Sequence, residues 1–395
     1  MNSTKSPFMI KSEIKVPSHI THVLEEKSRT GNLRHIPSGD IATMPRIDLV
    51  SNDYLSLAER ADRGEFDALR ERVAREYAFS SSASRLLSRR QRGYMELERL
   101  LGSLYDRPAL LFNSGYHANV GIVSALNAGN TLFVVDRLVH ASVYDGLRVG
   151  GCLFERFRHN DMASLRKILE KHAGTHDTVV VIAESVYSMD GDLAPLRELV
   201  ALREEFGNML LYVDEAHAVG VRGSRGLGLA EETGTIGKID IITGTFGKAL
   251  ASSGAFTVCD SRLHDFFVNC SRSFIFSTAI PPVCAEWTRE MLLLSLEMER
   301  ERRHLAELSQ WFAESLALIT GNDTGSRSQI IPLVTGDAQK AVALSECIHK
   351  AGFDALAIRR PTVPPHGERI RFSLSAGLTR SQLEPLLTIL KDTLG

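Results

Sequence analysis

The sequence is short of cysteine and has no surplus of charge. Five cysteines (Cys152, Cys259, Cys270, Cys284 and Cys347) stand in 395 residues. Their number is odd and no Cys-x-x-Cys pair occurs, so neither a disulfide frame nor a metal site is expected. A reducing compartment follows, and the cytoplasm is the expected location. Lysine and arginine number 46 against 48 aspartates and glutamates, a formal charge of -2. No chain-wide basic field therefore directs the protein to nucleic acid or to an anionic membrane. The run Ser88-Arg89-Arg90-Gln91-Arg92 reads as solvated surface. No apolar stretch approaches the roughly 20 residues of a membrane helix. Met1 to Lys15 also lacks the apolar block of a signal peptide.

What is present is a soluble-type composition, 44% hydrophobic and 24% charged, in a chain long enough for a large domain and a smaller one. Pro17 to Leu33 has the pattern of an amphipathic helix ending near Gly31. Ala109–Phe112, Thr131–Val135, Thr178–Ile182, Met209–Val213 and Ile239–Ile242 are strand candidates. Their apolar runs are continuous rather than alternating, as expected of strands covered on both faces. Helical patterns such as Leu196–Phe206 separate them, so the spacing predicts an α/β fold with a mostly parallel sheet. Leu292–Leu318 reads as one long helix, leading to a C-terminal α+β region with strands over Gln329–Val334 and Arg369–Leu374. The expected organisation is an N-terminal helix and arm over 1–50, a large domain over 51–282 and a small domain over 283–395.

Three strands run into reactive residues. Thr178–Ile182 leads to Glu184 and Ser185-Val-Tyr-Ser188-Met-Asp-Gly191. Met209–Val213 leads to Asp214-Glu215-Ala216-His217, and Ile239–Ile242 to Thr243-Gly-Thr245-Phe-Gly-Lys248. Ligands of open α/β sheets bind beyond the carboxyl ends of the strands, so an acid, hydroxyls and a lysine should share one crevice. A lysine beside a phosphate cradle can form a Schiff base with an aldehyde cofactor. A carboxylate can keep a pyridine nitrogen protonated, and the ring then drains electrons from a carbanion. Taken singly, Lys248 reads as surface, Asp214 as a helix cap and His217 as a packing residue; their order after three strands argues against that. Asp-Glu-Ala-His also occurs in nucleotide-driven helicases, but the phosphate loop Gly-x-x-x-x-Gly-Lys-Ser/Thr is missing. Gly223-Ser-Arg-Gly226-Leu-Gly228 has the wrong order for a dinucleotide fingerprint.

In its motifs the chain resembles the α-oxoamine synthases, enzymes of the pyridoxal-5′-phosphate (PLP) transferase fold type I. The likeness runs from about Ser51 to the C-terminus. It rests on Ser51-Asn-Asp-Tyr-Leu55, Phe112-Asn-Ser-Gly-Tyr116, Asp136-Arg-Leu-Val-His140-Ala-Ser142, His159-Asn-Asp161, Ser188-Met-Asp-Gly-Asp192, Val213-Asp-Glu-Ala-His217, Thr245-Phe-Gly-Lys248, Phe276-Ser-Thr278 and Ala357-Ile-Arg-Arg-Pro-Thr362. The resemblance implies a set of roles. Lys248 would carry PLP, Asp214 would meet the pyridine nitrogen, His217 the phenolic oxygen and Ser188 the ring edge, and His140 would stack on the ring. Gly115, Tyr116 and Thr245 would hold the phosphate, with Thr278 completing the cradle of the partner subunit in a homodimer. Arg371 would grip the amino acid's carboxylate, and Arg34, Asn52 and Thr362 would touch substrate. The implied reaction is a decarboxylative condensation of an amino acid with an acyl thioester; L-alanine with a pimeloyl thioester fits the motifs best. Family members that take glycine or serine, and an aminotransferase of the same fold type, remain as alternatives. Ser80-Ser-Ser-Ala-Ser84-Arg85, Arg360 and Pro365-His366-Gly367 depart from the family pattern.

Overall fold

The computed structural model describes residues 15–34, 36 and 46–394. Parts of the 1–50 arm, and nearly all of the Met1–Lys15 stretch, therefore lie outside the described residues. The strands are β1 (Ile47–Asp48), β2 (Ala109–Phe112), β3 (Thr131–Asp136), β4 (Phe154–Phe157), β5 (Thr178–Glu184), β6 (Met209–Asp214), β7 (Ile241–Thr245), β8 (Ala255–Cys259), β9 (Ile330–Val334), β10 (Phe353–Asp354), β11 (Leu356–Ile358) and β12 (Arg369–Ser373). Seven of them form the main sheet in the order β2-β8-β7-β6-β5-β3-β4. Its members run parallel except β8, which is antiparallel to both β2 and β7.

Both faces of this sheet are covered, which is why its strands read as unbroken apolar runs. Along β5, Val179 and Val181 enter one hydrophobic cluster while Val180 and Ile182 enter the other. Burying each such side chain contributes about 1.5–3 kcal/mol. Two strands of this sheet escaped the sequence reading, as did the short β1, β10 and β11 outside it. The edge strand β4 (Phe-Glu-Arg-Phe) is half exposed, so its charged residues hide it. β8 follows Ser252-Ser-Gly254 without a helix between, as an antiparallel neighbour permits. The strand expected at Ile239–Ile242 begins instead at Ile241, because the Asp240 carboxylate accepts the Leu211 N–H at 2.8 Å and pairs with Arg203.

The smaller sheet is antiparallel, in the order β11-β12-β9. One expectation fails here. Leu292–Leu318 is not one helix but parts of two, Pro282–Leu296 and Glu299–Thr320. Met298, at the break, is buried, and the Arg302 guanidinium reaches back to the carbonyls of Ser295 and Leu296. A buried apolar side chain and a cation on freed carbonyls stabilise a corner that no proline or glycine announces. The first described helix, Ser18–Arg29, ends at Thr30 with Gly31 at φ +67°. None of its residues is buried.

Candidate active site

Lys248, Asp214, His217, His140, Thr245, Gly115 and Tyr116 line one cavity of about 180 Å³ together with Glu184, Asn119 and Ala216. The sheet makes this meeting. β5 ends at Glu184 and β6 at Asp214, directly opposite one another, and Asp214 pairs with Thr243 two residues before β7 ends at Thr245. The acid, the hydroxyl and the lysine thus share the carboxyl edge of adjacent parallel strands, where the chain order alone placed them.

Asp214 is held at both oxygens. Oδ2 accepts from Asn119 Nδ2 at 2.8 Å and Oδ1 from the Ala216 N–H at 2.9 Å. Asn119 is itself fixed: its Nδ2 also reaches Ser142 Oγ at 2.9 Å, and Tyr212 donates to its Oδ1. The Tyr212 hydroxyl lies 3.0 Å from Thr243 Oγ1, which lies 2.8 Å from Thr257 Oγ1. A buried carboxylate so restrained keeps its charge aimed at one point of the cavity.

Lys248 Nζ lies 2.7 Å from His217 Nε2, and His217 Nδ1 lies 2.6 Å from the Tyr54 hydroxyl. Tyr54 donates to Asn52 Oδ1 at 2.9 Å, and Arg371 Nη2 donates to the same oxygen at 3.1 Å. A continuous polar chain therefore joins the lysine to Arg371. Gln329 Nε2 donates to the His217 carbonyl at 2.8 Å and holds the turn after β6. Burial pushes the Lys248 amine down to about 8, and the Arg371 charge adds to the effect while Asp214 and Glu184 oppose it. His217 is lowered well below the ordinary histidine value by burial and then by Lys248 and Arg371, so it is neutral. His140 is lowered by burial and by Lys248, against Asp214. Burial and the neighbouring Asp214 raise Glu184.

Gly115 and Tyr116 open the helix Gly115–Ala125, whose N-cap Ser114 accepts from the His117 N–H. The first N–H groups of a helix have no internal partner and suit an anion. A Cβ added to Gly115 would stand 3.8 Å from Thr245 Cβ, so the helix start and the Thr245 side chain are neighbours, the Thr245 hydroxyl donating to the Gly254 carbonyl at 3.1 Å. His140 N-caps the helix Ala141–Gly150 through Nδ1, which fixes its ring at the cavity. PLP fits this set: an anion-binding helix start, an amine of lowered pKa, a fixed carboxylate and an imidazole, in one cavity.

The other site residues sit differently. Ser188 is buried, and its carbonyl accepts from Arg371 Nε at 2.6 Å. Arg34 donates to the Thr362 hydroxyl at 3.1 Å, and both are exposed outside the cavity lining. Thr278 is exposed, its carbonyl accepting from Asn113, and does not line the cavity. The sequence reading gave no role to Tyr54 or Asn119; it found Glu184 by the same strand-end signal as Asp214 but assigned it no part. Asn119 lies within a helix, and nothing in the sequence points it at Asp214.

A family model for aminotransferase class I and II matches residues 45–390. An 8-amino-7-oxononanoate synthase of Haemophilus ducreyi is 45% identical over 351 residues, 87% of this chain and 90% of that protein. Among solved structures, a Sphingomonas wittichii serine palmitoyltransferase matches with a TM-score of 0.85 at 27% identity, covering 95% of this chain and 96% of that one. A high-resolution SPT structure with PLP matches equally, at 0.85 and 26% identity over 95% and 96% of the two chains. The chain belongs to the aminotransferase class I and II family, as a PLP-dependent acyltransferase of the α-oxoamine synthase type.

Proposed function

We propose that the protein, as a cytoplasmic homodimer, condenses L-alanine with a pimeloyl thioester to give 8-amino-7-oxononanoate, carbon dioxide and free CoA or carrier thiol. The observation that carries this reading is the meeting of Lys248, Asp214, His140 and His217 in one cavity, with Arg371 one polar chain away. The 45% identical Haemophilus ducreyi relative supports the choice of substrates. When bound, PLP withdraws electrons from the amino acid's Cα, so that this carbon can lose a proton, attack a thioester carbonyl and shed its carboxylate.

The chain's own residues do the rest. Lys248 Nζ, with its pKa near 8, accepts and returns the Cα proton close to neutral pH. Asp214, anchored by Asn119 and Ala216, would hold the ring nitrogen and favour its protonated form. His217, its ring oriented by Tyr54, would be the partner of the phenolic oxygen, His140, held by Ser142, would pack on the ring, and Ser188 would contact its edge. Gly115, Tyr116 and Thr245 would hold the phosphate, and Thr278 would complete the partner subunit's cradle. Arg371 grips the amino acid's carboxylate, with Asn52, Arg34 and Thr362 as further substrate contacts.

Arg371→Lys tests the grip. Its planar two-pronged donor set is lost, so the amino-acid KM should rise about 10–100-fold with a smaller change in kcat. The reaction itself is tested with purified holoenzyme on L-alanine, glycine and L-serine, each with pimeloyl-, acetyl- and palmitoyl-CoA, following thiol release. L-alanine with pimeloyl-CoA should dominate. Serine with palmitoyl-CoA is the second reading, favoured by the likeness to serine palmitoyltransferase. Exchange with keto acids and no thiol release would replace both with an aminotransferase.

A further inference from the structure

His159 stands between two carboxylates. Its Nδ1 lies 3.0 Å from Asp136 Oδ1 at the end of β3, and its Nε2 2.7 Å from Asp192 Oδ2 in the loop after β5. The imidazole meets the Tyr187 ring edge-on, with centroids 4.3 Å apart. Asp136 is fully buried, and among the described residues no lysine or arginine pairs with either carboxylate. The next residue tightens the arrangement. The Asn160 N–H donates to Asp136 Oδ2 at 2.9 Å, and its Nδ2 donates to Asp192 Oδ2 at 2.7 Å. Asp136, His159, Asp192 and Tyr187 are the titratable groups that face one another here.

The loop held in this way spans residues 185–193. On its other side it meets two arginines of β12: Arg369 donates to the Met189 carbonyl at 3.0 Å and reaches Asp190, while Arg371 Nε donates to the Ser188 carbonyl at 2.6 Å. Moving the loop would therefore swing Arg371.

We propose that His159 is a positioning residue: as an imidazolium clamped between Asp136 and Asp192 it fixes the 185–193 loop, so that the Ser188 carbonyl holds Arg371 ready for the amino acid's carboxylate. This rests on the reading of Arg371 as the carboxylate grip. Without the charge, two carboxylates face each other across a neutral ring, and repulsion falls on the more exposed Asp192, which is on the loop. Burial by itself would lower the His159 pKa, but the hydrogen bonds and charges of Asp136 and Asp192 raise it to about 9. Being raised, it binds a proton more tightly in the folded chain. The clamp is complete at and below the ordinary histidine range and is lost as pH climbs through about 9.

The test compares the wild-type holoenzyme with His159→Gln, which keeps the side chain's size and loses its charge. At pH 7.5 the variant's L-alanine KM should rise about 10-fold while kcat stays within about threefold. The variant-to-wild-type KM ratio should fall towards one as pH passes about 9, a readout in which the titration of the amino acid itself cancels. Asp192→Asn, with its side chain partly exposed, should move KM in the same direction and stands in if His159→Gln does not fold. Equal KM values in both variants and wild type would overturn the proposal. So would a fall in kcat and melting temperature with KM unchanged, or a neutral His159 ring at pH 7 by 15N NMR. Arg371→Lys separates the two ideas: if it raises KM and the His159 variant does not, the clamp alone fails; if it too leaves KM unchanged, the carboxylate grip fails.

Discussion

Lys248→Ala is expected to be inactive, with turnover reduced by at least about 10⁴-fold, the upper range for losing a positioned acid–base group. The variant should also lack the absorbance that a lysine-bound PLP gives at the visible edge. Both losses come from one atom. Nζ is enclosed in the cavity with its nearest partner, His217 Nε2, at 2.7 Å, and no other lysine lines the cavity among the described residues. Burial has already removed most of the cost of neutralising this amine, since its pKa stands near 8 instead of 10.5. Substituting Lys238, which is exposed and pairs with Glu204, should change neither property and serves as the control. A Lys248→Ala protein that kept absorbance and turnover would end the proposed chemistry.

Asp214→Asn should retain the cofactor and its absorbance but lower kcat by about 10²–10³-fold, the range for removing one electrostatic partner of a charge that develops during reaction. Asparagine nearly matches aspartate in size and its carbonyl can still accept from the Ala216 N–H. What it cannot supply is the negative charge that keeps a pyridine nitrogen protonated. It also turns an amide towards Asn119 Nδ2, a donor that now needs a new acceptor. Measuring absorbance and single-turnover rate on the same sample separates the two effects. Normal turnover in Asp214→Asn would show that the ring nitrogen has another partner.

Much of this was legible in the sequence because the informative signals were local. A continuous apolar run marks a strand covered on both faces, and the residue that follows it lies at the sheet's carboxyl edge. That reasoning placed Asp214, His217, Thr245 and Lys248 together, and the cavity they line agrees. Where the local pattern was ambiguous, it misled. The charged edge strand β4 was not seen, and the corner at Met298 was hidden inside a run of good helix formers, since burial and a reaching arginine made it. The helix Gly115–Ala125 shows its cap in Ser114, but nothing local reveals that Asn119, one turn further in, supports Asp214 across 95 positions.

By itself, then, the sequence determined five strands of the main sheet and the placement of Asp214 and Lys248 at its carboxyl edge. Tertiary structure decided which distant groups tune them: Arg371 reaching Ser188 from 183 positions away, His217 linked through Tyr54 to Asn52, and His159 lodged between carboxylates 23 and 33 positions off. The division has a physical cause. Periodicity and turn chemistry are set by neighbours along the chain, whereas hydrogen-bond partners and shifted pKa values depend on which strands close around a group and how far water is excluded from it.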